Sequence, residues 1–177
     1  SCFLVPRFKD DGSLNSLRIQ RLKSKLGNKS NASSELEFVD AQGYLIGEEG
    51  RGVATIIEMV NHTRLDCMLG AAALMRQATA QAIHHASHRS AFGKRLIDQP
   101  LMLNVLADLA LESEAAIRLT MRVARAYDEH ARSPAEALFK RIGSAIVKYW
   151  VCKRAPMHVA EALECFGGKV TISPEPQ

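Results

Sequence analysis

The first 50 residues alternate between apolar and polar positions over short distances, as β-strands do. Residues 2–5 form an apolar run that ends at a proline, and residues 19–22 form a second candidate strand. Residues 35–38 alternate between polar and apolar, and Val39 follows, which is typical of a strand that is buried on one face. Three strands cannot close a barrel or complete a sandwich, and they leave unpaired edges. Residues 1–50 are therefore predicted to be a piece of a larger β domain.

After this half the spacing of the apolar residues becomes helical. An apolar stripe without an internal proline predicts one long helix over residues 53–88. A second helix is predicted over residues 101–131. Its start is apolar nearly all round, which indicates burial between several helices.

A third helix is predicted from Ser133-Pro134 to a glycine pair at its end, because serine is a favoured N-cap and proline is accepted in the first turn. Pro156 lies inside this helix and predicts a kink. Three long helices joined by short loops predict a mainly α fold, an up-down helical bundle over residues 51–177. The fourth helix of the usual layout is expected from another subunit or from further chain.

The composition narrows the class of protein. With 177 residues, of which 47% are hydrophobic and 24% charged, the chain suffices for one domain with a core. No apolar stretch approaches the roughly 20 residues of a membrane span, so we expect a soluble protein with no membrane partner. The four cysteines are scattered, which indicates reduced thiols, and we expect a cytoplasmic location without a signal peptide. A net charge of +4 admits an anionic ligand but does not by itself indicate nucleic acid.

The first candidate site follows the long first helix. Arg89 offers a planar fork of donors suited to phosphate oxygens, and Phe92 could pack on a planar ring. Gly93 permits a positive φ, and Gln99 follows shortly afterwards. The spacing alone favours a plainer alternative, which is a solvated arginine beside a loop phenylalanine.

The second candidate site is a polar patch that interrupts the apolar stripe of the first helix. Asn61 and Arg64 belong to this patch, and Arg64 could hold an anionic ligand. The alternative is an ordinary ion pair between Arg64 and Glu58 or Asp66. The sequence does not separate the two interpretations.

The third candidate site is the end of the third helix, where Glu164 is followed by Gly167 and Gly168. A plain helix C-cap is the favoured interpretation of such glycines. Bare backbone amides at that position can also approach a ligand closely.

Two further patterns are given structural interpretations. His84 and His88 lie four apart on one helix but lack a third ligand nearby, so we expect surface histidines and no metal site. Several arginines on the second helix alternate with carboxylates, which predicts a salt-bridged solvent face. These arginines are Arg118, Arg122, Arg125 and Arg132.

As a set, the motifs of this chain resemble those of the acyl-CoA dehydrogenase family. The motifs are Gly47-Glu48-Glu49-Gly50-Arg51-Gly52, Thr63-Arg64, Arg89-x-x-Phe92-Gly93, Gln99 and Leu163-Glu164-Cys165-Phe166-Gly167-Gly168. Residues 25–34, 63–67 and 151–154 resemble more narrowly the alkylation-response, AidB-like branch of this family, as does the short spacing between Arg89 and Gln99.

The resemblance implies a flavoprotein that binds FAD and oxidises acyl-CoA thioesters at the α and β carbons. In this family a glutamate removes the α proton while hydride passes from the β carbon to the flavin. The family fold has an N-terminal helical domain, a middle β domain and a C-terminal four-helix domain, assembled as homodimers or homotetramers. Residues 1–50 would be the C-terminal part of the middle β domain, and residues 51–177 an incomplete C-terminal helical domain. An electron acceptor flavoprotein would be a further partner.

The resemblance also implies roles for single residues. Arg89, Phe92 and Gln99 would hold the ADP portion of FAD across a subunit interface. Glu164, Gly167 and Gly168 would approach the same cofactor, and Asn61 and Arg64 would lie near the acyl-CoA substrate. Glu164 stands where many relatives carry glutamine, and an anion beside a diphosphate is unfavourable unless a cation intervenes.

No catalytic residue is assigned to this chain. The usual catalytic glutamate is expected beyond Gln177, and Thr63 occupies the alternative position that a minority of relatives use. We therefore expect that the chain alone neither holds FAD stoichiometrically nor dehydrogenates acyl-CoA. One alternative is an alkylation-response flavoprotein with a DNA-protective role and DNA as a partner. Another is a helical oligomerisation module.

Overall fold

The computed structural model describes residues 1–167, and the chain divides into two compact units, Ser1–Met59 and Val60–Gln177. The first unit contains four short strands, and long helices dominate the second. The predicted mainly α fold with a small β portion at the N-terminus is confirmed. None of the helices within residues 1–167 combines the length and the apolar character that a bilayer crossing requires.

The first unit contains two antiparallel ribbons of two strands each. Strand β1 (Cys2–Leu4) pairs with β4 (Tyr44–Ile46), and β2 (Leu17–Leu22) pairs with β3 (Ser34–Phe38). The sequence predicted three of these strands within two residues. It missed β4 (Tyr44–Ile46).

A buried asparagine fastens the loops of this unit. Asn15 Nδ2 donates to the carbonyl groups of Pro6 and Gln42, each at 2.8 Å. Asn15 Oδ1 accepts the Gln42 amide at 2.9 Å. Residues far apart in sequence are thereby held together by one side chain.

The expectation that one face of the third strand is buried is wrong for this chain. Leu36 and Phe38 are 43% and 58% exposed. The reason is that a two-stranded ribbon has no second layer over its apolar face in the part of the chain that the structure describes. The alternating sequence is typical of a strand with one buried face, but residues 1–59 by themselves do not cover that face.

Three helices form the second unit and the segment that leads into it. They are α1 (Gly52–His88), α2 (Pro100–Glu129) and α3 (Pro134–Glu164). The predicted bounds agree within two residues. Ser133 is the N-cap of α3 and its Oγ accepts the Glu136 amide at 3.3 Å, which confirms the predicted cap. Helix α3 continues through Pro156, and the predicted kink there stays a prediction.

Two groups of buried side chains form the core between the helices. The first group is Met68, Ala72, Met75, Ala116, Val123, Tyr127, Val147, Val151 and Ala155. The second group is Ala82, Ala86, Leu106, Leu109, Ala162 and Cys165. Half of the second group is alanine, and small side chains allow helix backbones to approach closely. The second group supports the loop region that carries the candidate site.

The start of α2 differs from its expected burial. Leu106 and Leu109 are buried in the core, but Leu101 is 81% and Leu103 53% exposed. The prediction that the start of this helix is buried all round is therefore wrong within this chain. Only one side of the first turns faces α1 and α3, so the opposite apolar side has no cover among residues 1–167.

Three of the four arginines form the predicted ion pairs, whereas Arg132, which follows the end of α2, makes none among residues 1–167. Arg122 binds Glu136 through two bonds of 2.8 and 2.9 Å, and its guanidinium lies 4.1 Å from the centre of the Phe139 ring. Arg118 pairs with Glu114 and Arg125 with Glu129 on the same helix. Arg154 binds Glu112 in the same two-bond manner and joins α3 to α2.

The acid sensitivity of the helical unit should depend on two of these carboxylates. Hydrogen bonds from Arg122 hold the pKa of Glu136 below its ordinary value, and hydrogen bonds from Arg154 lower the pKa of Glu112. A carboxylate whose pKa is lower in the folded chain stabilises the fold at neutral pH. That contribution disappears as the pH falls through the folded-state pKa.

We expect the urea midpoint of the chain to fall between about pH 7 and about pH 3, and a double variant, Glu112→Gln with Glu136→Gln, to lose less over that interval. The double variant should start from a lower midpoint at neutral pH. Glu49→Gln changes an exposed carboxylate and is the control, which should follow the wild type. Equal acid losses in the double variant and the wild type would contradict the assignment.

Candidate functional site

A short hairpin follows α1 and carries the most unusual backbone of the molecule. Strands β5 (Ser90–Ala91) and β6 (Lys94–Arg95) pair around the two-residue loop Phe92-Gly93. Both loop residues have positive φ, 54° at Phe92 and 77° at Gly93, which is the type I′ pattern. Glycine accepts this conformation, whereas a bulky side chain is strained there.

The side chain of Phe92 is also 98% exposed. A residue that is strained and packs against nothing among residues 1–167 does not stabilise the hairpin. Strained backbone of this kind concentrates at ligand-binding and functional positions. The combination of strain and exposure points to a role for the ring outside this chain's own core.

Gln99 connects this hairpin to α2. Its Nε2 donates to the Ala91 carbonyl at 3.3 Å, and Gln99 is the residue that precedes the first turn of α2. A 3₁₀ turn at Leu96–Asp98 lies between them, and the Leu96 amide donates to the Arg89 carbonyl at 2.8 Å. No side chain caps the α2 N-terminus within residues 1–167, so its first amides keep their partial positive charge for an outside acceptor.

Arg89 lines a cleft of about 390 Å³ together with the end of α3. The lining residues are His85, Arg89, Ala91, Leu96, Met102, Glu164, Cys165, Phe166 and Gly167. The cleft therefore brings together parts of the chain that are 75 or more positions apart, such as Arg89 and Glu164. The Phe166 ring stacks on the His85 ring with 4.8 Å between centroids and closes one side of the cleft.

The charges in the cleft are balanced without a direct ion pair. Arg89 makes no salt bridge among the residues that the structure describes. Glu164 lines the same space, so the cleft holds a cation and a carboxylate that do not pair directly. Burial raises the pKa of the Cys165 thiol, with Glu161 as a secondary cause, so this thiol is protonated at neutral pH.

The structure thus gathers most of the residues that the sequence singled out around Arg89. Arg89, Glu164 and Gly167 line the cleft, and Gln99 adjoins it through Ala91. The Phe92 ring extends from the hairpin tip instead of lining the cleft. Gly168 lies outside the described residues.

Sequence reasoning missed three residues of the cleft, His85, Leu96 and Met102. His85 lies one helical turn before Arg89, and that spacing alone places both on one helix face. The contributions of Leu96, in the 3₁₀ turn, and of Met102, in α2, depend on how these elements approach α1. No local pattern in the sequence reports that approach.

Arg64 and Asn61 form the second candidate site on α1. Arg64 Nη1 donates to Asn61 Oδ1 at 3.1 Å, and both residues are half-buried. Among residues 1–167, neither Glu58 nor Asp66 forms an ion pair with Arg64, so this alternative from the sequence is wrong. A guanidinium carries five N–H donors, and the bond to Asn61 leaves the others for an anionic ligand.

The two candidate sites are far apart in one chain. Arg64 and Arg89 are separated by 25 positions along α1 and its first following residue, which corresponds to about 37 Å along a helix. At the end of α1, the centroids of the His84 and His88 rings lie 4.4 Å apart. Among residues 1–167, no three His, Cys, Asp or Glu side chains gather as a metal site would need.

A second cleft of about 410 Å³ lies between α2 and α3, and sequence reasoning missed it. Buried His158 lines it, with its Nε2 held 2.9 Å from Thr79 Oγ1 on α1. The remaining wall mixes acidic, basic and apolar side chains. We assign it no ligand.

Comparisons with known proteins agree on one family. Residues 50–176 match the model described as acyl-CoA dehydrogenase, C-terminal domain. The chain is 51% identical to the putative acyl-CoA dehydrogenase AidB of Escherichia coli (strain K12) over 168 residues, which are 95% of this chain and 31% of that protein.

Solved structures show the same relationship. The Caenorhabditis elegans ACDH-11 structure, in complex with C11-CoA, matches with a TM-score of 0.87 at 32% identity, over 94% of this chain and 29% of that one. Butyryl-CoA dehydrogenase from Megasphaera elsdenii matches with a TM-score of 0.73 at 26% identity, over 86% of this chain and 39% of that one.

The chain spans less than a third of the length of the Escherichia coli and Caenorhabditis elegans proteins. The family model covers most of the chain, and the resemblance seen in the sequence motifs is confirmed. The chain belongs to the acyl-CoA dehydrogenase family.

Proposed function

We propose that this chain is part of an FAD-dependent oxidoreductase that dehydrogenates acyl-CoA thioesters at the α and β carbons. The cleft at the end of α1 carries the proposal, because it groups Arg89 with Glu164 and Gly167 around one space. Such a grouping of a free guanidinium and exposed backbone suits the diphosphate of a dinucleotide.

The chemistry of the cleft residues fits the ADP portion of FAD. Arg89 has no ion partner in the described part of the chain, and Met102, in the uncapped first turn of α2, lines the same space. Gly167 has a φ of 63° and open space where a Cβ would stand, so a ligand could approach its backbone closely. We assign ADP binding to Arg89, Phe92, Gln99, Glu164, Gly167 and Gly168. FAD, once bound, supplies the acceptor for the hydride of the β carbon.

The second site suits the anionic substrate. Arg64 is a half-buried cation whose single bond within the described chain is to a neutral amide, that of Asn61. The Caenorhabditis elegans relative was solved with C11-CoA, which supports an acyl-CoA ligand for this family branch. We assign to Asn61 and Arg64 a contact with acyl-CoA.

The separation of the two sites supports an oligomer. About 37 Å of helix lies between Arg64 and Arg89, so the two clusters of one chain would serve different parts of the bound molecules. A homodimer or homotetramer would let the cleft of one protomer hold the cofactor of another. An electron acceptor flavoprotein would complete the reaction cycle.

We assign the catalytic base to the remainder of the parent polypeptide. Thr63 occupies the position of a base in some relatives, but its Oγ1 donates to the Val60 carbonyl at 2.9 Å and has no acidic group to offer. The DNA-protective alternative depends on the branch resemblance alone and stays a prediction.

The 177-residue chain should by itself hold far less than one FAD per chain. The cleft supplies contacts for the ADP portion only, and a single diphosphate contact region gives weak binding. The absorbance spectrum of the purified chain, with and without added FAD after desalting, measures the occupancy. Flavin bands near full occupancy, or reduction of the flavin by acyl-CoA, would contradict this assignment.

In the full-length parent polypeptide, Arg89→Met should weaken FAD binding by about 10- to 100-fold, since a hydrogen bond to a charged group contributes about 1.5–3 kcal/mol. Fluorescence titration of the apoprotein with FAD gives the dissociation constant. Arg95→Met is the matched control, because Arg95 ends the hairpin that begins directly after Arg89, and it pairs with Asp98 at 3.0 Å. Equal effects of the two substitutions would show that Arg89 has no special contact with the cofactor.

Phe92→Asn should have opposite effects on folding and on cofactor binding. Asparagine tolerates the left-handed region and Asn-Gly is the favoured type I′ pair, so the 177-residue chain should gain about 1 kcal/mol in urea unfolding. The same substitution in the full-length polypeptide should lower FAD affinity because the aromatic ring is lost. A variant that is no more stable would argue against strain, and unchanged FAD affinity would remove the ring from the cofactor site.

A further inference from the structure

Tyr127 joins all three helices through one hydroxyl group. The residue lies on α2 and is 9% exposed. Its Oη donates to the Asn61 carbonyl on α1 at 2.7 Å and lies 2.9 Å from Ser144 Oγ on α3. Ser144 Oγ also lies 2.5 Å from the Lys140 carbonyl oxygen, so its single proton is shared between that carbonyl and Tyr127 Oη.

The number of protons fixes the direction of the bond to α1. A carbonyl oxygen only accepts, so the single phenolic proton of Tyr127 goes to Asn61. The same carbonyl can accept the amide four residues further along α1, so the helix forms without Tyr127. The tyrosine therefore adds a constraint between helices and does not build one of them.

The surroundings hold the tyrosine ring in place. The His62 ring meets it edge-on with 5.2 Å between centroids, and Lys140 Nζ lies 4.7 Å from its centre. An aromatic ring packed on two sides has little freedom to move its hydroxyl. The hydroxyl is thus a fixed point against which α1 is held.

Asn61 passes this constraint to Arg64. The main chain of Asn61 is held by Tyr127, and its side-chain Oδ1 accepts from Arg64 Nη1 at 3.1 Å. Arg64 has no carboxylate partner among residues 60–167. Its orientation therefore depends on Asn61 and on the rotation of α1 at that point.

We propose that Tyr127 is a positioning residue that orients the Asn61–Arg64 pair toward acyl-CoA. The inference depends on the proposed function, in which this pair contacts the substrate. Tyr127 acts through Asn61 and does not touch the ligand. Its removal loosens the guanidinium of Arg64 before any substrate is bound.

The first test uses the 177-residue chain without cofactor or substrate. In ¹⁵N-labelled protein, the Nε–Hε signal of Arg64 is identified by its loss in Arg64→Lys. Tyr127→Phe should shift or broaden that signal. Tyr149→Phe removes a hydroxyl from a 68% exposed tyrosine on α3 and should leave it unchanged.

Ser144→Ala separates positioning from general stability. It removes the α3 partner of the hydroxyl but keeps the bond between Tyr127 and Asn61. The variant should unfold at lower urea concentration yet keep the Arg64 signal. A shift in Ser144→Ala as large as in Tyr127→Phe would show that the signal reports loosening of the core, and the proposal would be overturned.

The second test uses the full-length polypeptide with FAD. Tyr127→Phe should raise KM for acyl-CoA about tenfold and change kcat by less than about twofold, as expected when binding alone is weakened. Arg64→Met should do the same. If Arg64→Met leaves KM unchanged, the assigned substrate contact is wrong, whereas the Arg64 signal still tests Tyr127. If Arg64→Met raises KM but Tyr127→Phe changes neither KM nor the signal, the positioning role is wrong.

A third variant keeps the proposal testable if Tyr127→Phe fails to fold. The sequence contains three tyrosines, and replacing Tyr44 and Tyr149 by phenylalanine leaves Tyr127 as the remaining one. Incorporation of 3-fluorotyrosine then makes its hydroxyl a stronger donor with nearly the same shape. The Arg64 signal should move, and an unchanged signal would overturn the inference.

Discussion

The unbroken backbone hydrogen bonding of α1 is the constraint on which the placement of both candidate sites depends. At 1.5 Å per residue, its 37 residues extend for about 55 Å. Arg64 lies within this helix, and Arg89 directly follows its last residue. The length of the helix between them thus sets the separation of the two cations. Packing of α2 and α3 then decides what surrounds each of them.

The helical half of the fold could be predicted closely because its information is local. The 3.6-residue spacing of α1 and the Ser133-Pro134 start of α3 depend on neighbours within one or two turns. The two-residue strands of the hairpin have no period to detect, and β4 is almost as short. These strands form because other segments pair with them, and a local sequence pattern does not indicate which segments pair.

The candidate sites were predictable to different degrees for the same reason. Arg89 and Gln99 stand out by residue type and spacing, and the cleft gathers the first while the second adjoins it. Phe166 joins only because α3 ends beside His85. Exposure was predicted least well. Leu36 and Leu101 have the pattern of buried residues, but a sequence does not state whether the covering surface belongs to the same chain.

The conformation of the hairpin tip affects the local stability of a single protomer. Phe92 holds a left-handed backbone and an almost fully hydrated ring, and both are unfavourable until some other surface covers the ring. Association that buries the Phe92 ring would therefore contribute favourable free energy that folding of one chain does not provide at this loop. Isolated protomers should open here before the helices do, and a complex that buries the tip would close it. A short turn of this kind makes tertiary stability sensitive to quaternary contact.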